Sequence, residues 1–307
     1  MSLQEPRKHG LEREPDPCWQ KRPHELRLRQ REEEKKPNTG ELSDFNAFSL
    51  DLLSKTGIDL SRYKQSHVKR RVRGLMARLG MTTYEEYVAL LARDDARRRE
   101  FVDHLSINVT EFFRDYDRWQ YLQNTILPSM IEEHKSLLIW SAGCSTGAEP
   151  YSMGIILEEL DPGGNHRILA TDIDQAALKV AEEASYPVET LKNVSAMRLL
   201  QNFDRLGDRW RLKPSIKNKV RFMVHDLTVD PYPVGVNLVL CRNVVIYLTG
   251  EVKDRVYRGL YSALKPGGIL FVGGSEIVTG WRALGFELLS PFIYQKRSSH
   301  SGLTDSP

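Results

Sequence analysis

The residues of this chain that could do chemistry are a loop of small side chains and three carboxylates. The loop Gly143-Cys-Ser-Thr-Gly147 follows the apolar run 137–140, and Glu149 stands two residues beyond it. Asp172 and Asp226 each close a later apolar run. Small residues let a ligand approach the backbone, and carboxylates accept hydrogen bonds from hydroxyl and amino groups. The pattern predicts a binding loop for a ligand that carries such donors.

The elements that must position these residues alternate between strand-like and helical patterns after Asp115. The strand-like apolar runs are 137–140, 167–172, 220–226, 236–241 and 269–274. Helical patterns begin at Glu149, Asp174 and Glu251. This alternation is typical of an α/β fold with a doubly wound, mostly parallel sheet covered by helices on both faces. Ligands of such sheets bind beyond the carboxyl ends of the strands, where the loop and the carboxylates stand.

Residues 42 to about 104 have helical periodicity instead. Patterns at 45–57 and 63–80 each end at a glycine, and a third opens at 82 with a Thr82–Glu85 capping pattern. They predict a small all-helical domain. Farther on, RLGDRWRL predicts a β-hairpin around Gly207-Asp208. The segment 264–268 predicts a turn before a final pair of strands, or simply the end of a helix.

These patterns predict a domain order. We expect a disordered extension at 1–41, a helical domain at 42–106, the α/β domain at 107–297 with an insertion at about 185–219, and a disordered tail at 298–307. The first 40 residues carry ten Lys/Arg, eight Asp/Glu and five prolines, with few large apolar side chains. Such a composition buries too little surface to offset the entropy of ordering.

Positive charge is concentrated in residues 62–99, which hold eleven Lys/Arg against four Asp/Glu, a net of +7. In the second helix Val68, Val72, Leu75 and Leu79 form an apolar stripe, and the basic residues project elsewhere: Lys69, Arg70, Arg71 and Arg73. A solvated helix face and a surface for an acidic partner are equally good interpretations. Like charges at these spacings destabilise a helix, which favours a function for them.

Composition excludes several classes of protein. No stretch approaches the roughly 18–20 apolar residues of a membrane span, and the N-terminus lacks the apolar core of a signal peptide. We therefore expect a cytoplasmic protein. The three cysteines (Cys18, Cys144 and Cys241) form no CxxC pair and have no ligand-like histidine spacing, so we expect neither a disulfide nor a metal.

The loop itself separates three kinds of nucleotide-type ligand. A phosphate-binding P-loop needs Lys-Ser/Thr after its second glycine, where Ala148-Glu149 stands here, and a carboxylate would repel the phosphates. A dinucleotide site is still possible, although its three-glycine spacing is not met. S-adenosylmethionine has no phosphate, and its ribose hydroxyls, α-amino group and adenine amine are all donors that suit carboxylates.

Five motifs together closely resemble a known family, the chemotaxis receptor methyltransferases (CheR). They are NVTEFFR at 108–114, WSAGCSTGAEPYS at 140–152, ATDID at 170–174, CRNVVIY at 241–247 and GGSE at 273–276, in the family's order and spacing. The resemblance covers roughly residues 44–297. It implies an S-adenosylmethionine-dependent protein-glutamate O-methyltransferase, with the fold of S-adenosylmethionine methyltransferases and S-adenosylhomocysteine as product.

The resemblance also implies roles for individual residues. The cofactor's methionine end would be reached by Asn108, Thr110, Arg114 and Glu149. Asp172 would take the ribose, Asp226 and Leu227 would flank the adenine, and Asn243 and Val244 would line the other side. We expect Phe112 and Phe113 in the core, Asp174 as a helix cap, and Cys144 and Cys241 as packing residues. Tyr247 could belong to the core or face the methyl group.

Methyl transfer to a glutamate needs no general base, because a carboxyl group with a pKa of about 4.3 is already ionised at neutral pH. We therefore assign no catalytic acid or base, and take Arg114 and Tyr247 as positioning candidates. The resemblance implies that the partner is the set of cytoplasmic methylation helices of chemoreceptors, which the basic helix would suit. We expect a monomer that neither binds nucleic acid nor inserts into membranes.

Two other functions stay open. A cationic domain could hold nucleic acid, although Arg242-Asn243-Val244-Val245 stands where a nucleic-acid amino methyltransferase would carry an N-P-P-[YF] segment. A signalling scaffold that binds the cofactor without turnover is the other alternative.

Overall fold

The computed structural model describes residues 39–105 and 110–298. Nearly all of the predicted extension and tail fall outside these ranges. The chain divides into two compact units, 1–47 and 48–307, and the first contributes only the first half of one helix to the described residues. Within the described residues no helix has the length and apolarity to cross a membrane.

The segment 39–105, called the helical segment below, consists of helices, as predicted. Its helices are α1 (Thr39–Thr56), α2 (Gln65–Arg78), α3 (Tyr84–Arg93) and α4 (Asp95–Leu105), and a short 3-10 turn, Leu60–Arg62, joins the first two. Val68, Val72 and Leu75 of the predicted apolar stripe are at most 2% exposed. α2 therefore packs through that stripe and turns its basic side chains elsewhere.

The predicted cap of α3 is wrong by one residue. The Thr83 hydroxyl, not that of Thr82, accepts a hydrogen bond from the Glu86 amide at 3.4 Å. Both threonines are good caps, and the start of the helix at Tyr84 decides which hydroxyl faces a free amide.

The rest of the described chain is built around a seven-stranded sheet. Its strands are β1 (Leu138–Ala142), β2 (Arg167–Asp172), β6 (Val220–Val224), β7 (Val236–Cys241), β8 (Leu264–Val272), β9 (Phe286–Ser290) and β10 (Ile293–Lys296). Their order across the sheet is β6-β2-β1-β7-β8-β10-β9. The first five are parallel, and β10 runs antiparallel to both of its neighbours. This confirms the predicted fold class.

Helices connect the strands. They are α5 (Tyr116–Tyr121), continued by a π-helical turn (Leu122–Ile126) into α6 (Leu127–His134), then α7 (Ala148–Leu160), α8 (Gln175–Glu183), α9 (Ala196–Asn202), α10 (Pro214–Lys217), α11 (Gly250–Ala263) and α12 (Trp281–Leu284). Two clusters of buried apolar residues fill the space between helices and sheet, one containing Ile139 and Phe271, the other Trp140 and Val239.

Phe112 and Phe113 are fully buried, and Cys144 and Cys241 are buried free thiols, as predicted.

The predicted hairpin is present in a second, three-stranded antiparallel sheet. β5 (Arg209–Leu212) pairs with β3 (Ser185–Pro187) and with β4 (Phe203–Leu206), and Gly207 adopts a positive φ of 63° in the turn. The predicted turn at 264–268 lies within the range of β8, directly after α11 ends at Ala263. Leu264 pairs with Val236 and Ile269 with Leu238, so residues 265–268 have no partner in β7, and Gly267 has a φ of 76°. The chain therefore turns here before the part of β8 that pairs regularly.

Candidate active site

One cleft lies beyond the carboxyl ends of the parallel strands, and it gathers most of the predicted ligand residues. The predicted residues that line it are Thr110, Arg114, Glu149, Asp172, Asp226, Leu227, Asn243, Val244 and Tyr247. Asn108 falls outside the described residues. Among the described residues no group of three or more His, Cys, Asp or Glu could hold a metal ion.

The loop after β1 forms the centre of the cleft and needs its first glycine. Gly143 has a φ of 82°, which only glycine adopts without strain. A Cβ atom there would lie 2.4 Å from a methyl group of Val244. The Gly143 and Cys144 amides both donate to the Thr171 carbonyl oxygen, at 2.8 and 2.9 Å. The loop is thus held against the ends of β2 and β7.

Asp172 is fixed at the end of β2 by two backbone amides. The Ser145 amide donates to Oδ2 at 2.7 Å, and the Asp174 amide donates to Oδ1 at 2.9 Å. Burial raises the pKa of Asp172, and these two hydrogen bonds oppose that rise. Each carboxylate oxygen keeps a lone pair for a ligand hydroxyl. Asp174 caps α8 by accepting from the Ala177 amide at 2.8 Å, as predicted.

Glu149 lies in the first turn of α7 and is also nearly buried. The Ser141 hydroxyl donates to its Oε1 at 2.7 Å, and the Arg242 guanidinium lies 3.5 Å from Oε2. Burial raises the pKa of Glu149, and the charge of Arg242 opposes this most strongly. Arg242 also donates to the Arg114 carbonyl at 2.8 Å and to Asp115 at 2.7 Å. It therefore joins Glu149, Asp115 and the Arg114 carbonyl into one charged network.

The helical segment contributes to the cleft, which the sequence did not indicate. Arg62 donates to Thr228 at 2.9 Å and lies 3.4 Å from Asp226. Tyr63 lines the cleft beside them. Burial, followed by the charge of Asp226, raises the pKa of Tyr63 to about 12, so the phenol stays protonated and can donate.

The mouth of the cleft adjoins the start of α2. The Lys64 amide donates to the Tyr247 carbonyl at 2.8 Å, and the His67 ring stacks on the Tyr247 ring with centroids 4.5 Å apart. Burial raises the pKa of Tyr247, and the neighbouring charges of Arg114, Arg71 and Arg70 oppose that rise. Tyr247 therefore faces the cleft and is not a core residue.

The predicted basic residues divide into two kinds. Arg70 and Arg73 are exposed, and Lys69 is half-buried. Arg71 is half-buried and donates to the His104 carbonyl oxygen of α4. Arg71 thus ties two helices together while its charge adds to the same surface.

The chemistry of this donor set fits S-adenosylmethionine. Glu149 occupies the first turn of α7, where a dinucleotide would place its phosphates, so the site repels phosphate. Asp172, Asp226 and Glu149 instead offer acceptors to hydroxyl and amino groups.

Comparison with known families agrees with this chemistry. Residues 43–106 match the family described as "CheR methyltransferase, all-alpha domain", and residues 108–288 match "CheR methyltransferase, SAM binding domain". The chain belongs to the CheR methyltransferase family. As a member it is an S-adenosylmethionine-dependent methyltransferase of chemotaxis.

Individual relatives are similar over most of their length. The chain is 35% identical to a chemotaxis protein methyltransferase of Listeria monocytogenes, over 82% of this chain and 97% of that protein. It is 34% identical to chemotaxis protein methyltransferase 1 of Pseudomonas aeruginosa, over 76% of this chain and 90% of that protein.

Proposed function

We propose that this CheR protein methylates glutamate side chains on the cytoplasmic helices of chemoreceptors. The observation that best supports this substrate is the place of α2 at the mouth of the cleft. Its residue His67 stacks on Tyr247, and Arg70 and Arg71 act electrostatically on the same phenol. A helix that carries several glutamates presents a negative face, which complements this cationic helix beside the cofactor.

Each cofactor contact is part of the proposal. Asp172 accepts from the ribose, Asp226 and Leu227 flank the adenine, and Asn243 and Val244 form the opposite wall. The methionine end is held by Asn108, Thr110, Arg114 and Glu149. The support is that all of these except Asn108, which is not described, line one cleft.

Bound S-adenosylmethionine supplies a methyl carbon that its sulfonium makes electrophilic. The chain's residues then have to place a substrate carboxylate behind that carbon and keep water away. Orientation of this kind contributes on the order of 7–11 kcal/mol to lowering a barrier. The substrate carboxylate is already ionised at neutral pH, so no side chain of the cleft has to remove a proton. Arg114 and Tyr247, both half-buried at the cleft, are the positioning candidates.

The substrate would be held by the basic surface of α2, which consists of Lys69, Arg70, Arg71 and Arg73. Exposed charge pairs are individually weak, so docking should be reversible and sensitive to salt. We propose that the protein acts as a cytoplasmic monomer without nucleic acid and without insertion into the membrane. Fractionation of the cells tests the cytoplasmic location, and sedimentation of the pure protein tests the monomeric state.

Transfer of isotopically labelled methyl from S-adenosylmethionine tests the proposal. We expect label on receptor cytoplasmic fragments, with release of methanol on mild base, since carboxyl esters hydrolyse there. The label should map to glutamates of the receptor helices. Label that enters nucleic acid, or cofactor binding with no transfer to any receptor, would contradict the proposed substrate.

A further inference from the structure

Glu276 is a buried carboxylate that follows β8 and accepts four backbone hydrogen bonds. Glu276 is only 2% exposed. The amides of Asn243 and Gly273 both donate to Oε2 at 2.7 Å. The amides of Val244 and Val245 donate to Oε1 at 3.0 and 3.1 Å. Concave sets of backbone amides of this kind bind anions, and here the anion belongs to the chain itself.

Three of these four donors belong to the turn after β7, which lies 31 to 33 residues earlier in the chain. In that turn Asn243 adopts a positive φ of 60°. Such a conformation persists only where the surrounding structure fixes it. Without Glu276, several enclosed amides would lose their acceptor in an already strained turn, so the carboxylate is what holds the turn in place.

The need for a carboxylate follows from the number of donors. A carboxylate has two acceptor oxygens with two lone pairs each, which matches two amides on each oxygen. Burial raises the pKa of Glu276, and the four hydrogen bonds oppose that rise by stabilising the charged form. A neutral amide side chain could serve only half of the donors.

The turn that Glu276 holds is one wall of the cleft. Asn243 and Val244 line the cleft, whereas Glu276 does not. The methyl groups of Val244 occupy the space in front of Gly143, where a Cβ atom would meet them at 2.4 Å. The position of the turn therefore sets the gap between this wall and the glycine loop.

We infer that Glu276 is a positioning residue for the cofactor: its carboxylate fixes the turn so that Asn243 and Val244 form the wall against which the cofactor lies. The inference rests on the proposed assignment of these two residues to the cofactor. It adds a residue that touches neither cofactor nor substrate but sets the shape of the site.

The test is Glu276→Gln. This substitution keeps the size of the side chain but places a carboxamide NH2 group, which cannot accept, opposite two of the four backbone amides. We expect the Kd for S-adenosylhomocysteine, measured by calorimetry, to rise about tenfold or more, since buried donors lose their acceptor. The KM for the cofactor should rise more than kcat falls. Backbone amide exchange should become faster at Asn243, Val244 and Val245. Glu276→Asp keeps both oxygens on a shorter stem and should show a smaller increase in Kd.

Ile216→Ala serves as a control for general destabilisation. Ile216 is fully buried against Gly154 and does not line the cleft. This variant should lower the melting temperature while it leaves the Kd and the exchange of the three amides close to wild type. It separates a role in positioning from a loss of overall stability.

The outcomes are distinguishable. Unchanged Kd and amide exchange in Glu276→Gln, with normal wild-type binding, would overturn the inference alone. If the Gln variant does not fold, wild-type values for both measurements in Glu276→Asp would overturn it. Failure of the wild-type protein to bind S-adenosylhomocysteine would overturn the cofactor assignment, and the inference would fall with it.

Discussion

The floor of the cleft and the basic surface of α2 are built in opposite ways. The floor, meaning Glu149, Asp172 and Asp226, consists of buried or half-buried carboxylates that each accept two or more hydrogen bonds from the chain. The basic surface instead presents guanidinium groups such as those of Arg70 and Arg73, which are exposed.

This difference predicts two kinds of binding. Contacts in the floor are desolvated and organised before the ligand arrives, so each should contribute strongly and respond little to salt. Contacts on the basic surface are screened by solvent and should each contribute about 0.2–1 kcal/mol. Substitutions in the floor should therefore change cofactor affinity, and those on the surface should change only the use of the protein substrate.

The largest effect should come from Asp172→Ala. The substitution removes the proposed ribose acceptor, and charge-assisted hydrogen bonds contribute roughly 1.5–3 kcal/mol each. For one or two such bonds we expect the Kd for S-adenosylhomocysteine to rise about 100-fold. Calorimetric titration measures this Kd. A variant that binds with wild-type affinity would show that Asp172 does not contact the cofactor.

Asp94→Ala is a matched control for that substitution. Asp94 also accepts two backbone hydrogen bonds, from the Ala96 amide at 2.9 Å and the Arg97 amide at 3.1 Å, but it does not line the cleft. Its loss should lower stability by about 1 kcal/mol and leave cofactor affinity unchanged.

A smaller effect is expected from Arg62→Met, which cuts the link between the helical segment and the floor. Arg62 holds Thr228 and Asp226 from outside the sheet, and its side chain is 26% exposed. A partly solvated pair of this kind contributes under about 1 kcal/mol, so the cofactor Kd should rise about threefold. Lys55→Met, which breaks the exposed pair with Asp51, should have no effect on the Kd. Equal Kd values for the two variants would show that the helical segment does not support the floor.

The smallest effect concerns a carboxyl pair near the floor. Burial, followed by the charge of Asp174, raises the pKa of Asp103 to about 6. An acid whose pKa is raised on folding binds more protons in the folded state, so it lowers stability as the pH rises from about 4 to 6. Asp103→Asn should therefore raise the melting temperature by a degree or two at pH 7.5 and by nothing at pH 3.5. Thermal scans at both values check this, and the same change at both would contradict it.

The sequence predicted the regular parts of the fold because they depend on local patterns. The apolar runs at 167–172 and 236–241 coincide with β2 and β7, and the glycines of the loop mark its tight turns. The start of α3 was displaced by one residue, because two neighbouring threonines can each cap it. The turn at 264–268 could also be predicted from composition, because Lys265-Pro266-Gly267-Gly268 separates the end of α11 from the part of β8 that pairs regularly with β7.

The residues that the sequence did not reveal act across long distances in the chain. Arg62 and Asp226 are 164 positions apart, and only the packing of the helical segment on the sheet brings them together. Glu276 belongs to a motif that resembled the family, but its role depends on amides of another loop. Such pairings have no periodicity to detect, so they needed the structure.

The separation of floor and surface is tested most directly by reversing the charge of the basic surface. Arg70→Glu together with Arg73→Glu should leave the Kd for S-adenosylhomocysteine unchanged. At low salt it should lower kcat/KM for receptor about tenfold, since two attractions become repulsions. Added salt should lower the wild-type kcat/KM for receptor, so that the values of the wild type and the variant converge.

The matched control reverses two arginines at the other edge of the sheet. Arg167 opens β2 and Arg221 stands near the start of β6, both exposed and away from the carboxyl ends that form the cleft. The Arg167→Glu, Arg221→Glu variant should methylate receptor as the wild type does. Receptor kcat/KM measured across a salt series for the three proteins decides the matter. We expect a loss confined to the α2 variant and largest at low salt; equal methylation by all three proteins at every salt concentration would show that the basic surface does not hold the receptor.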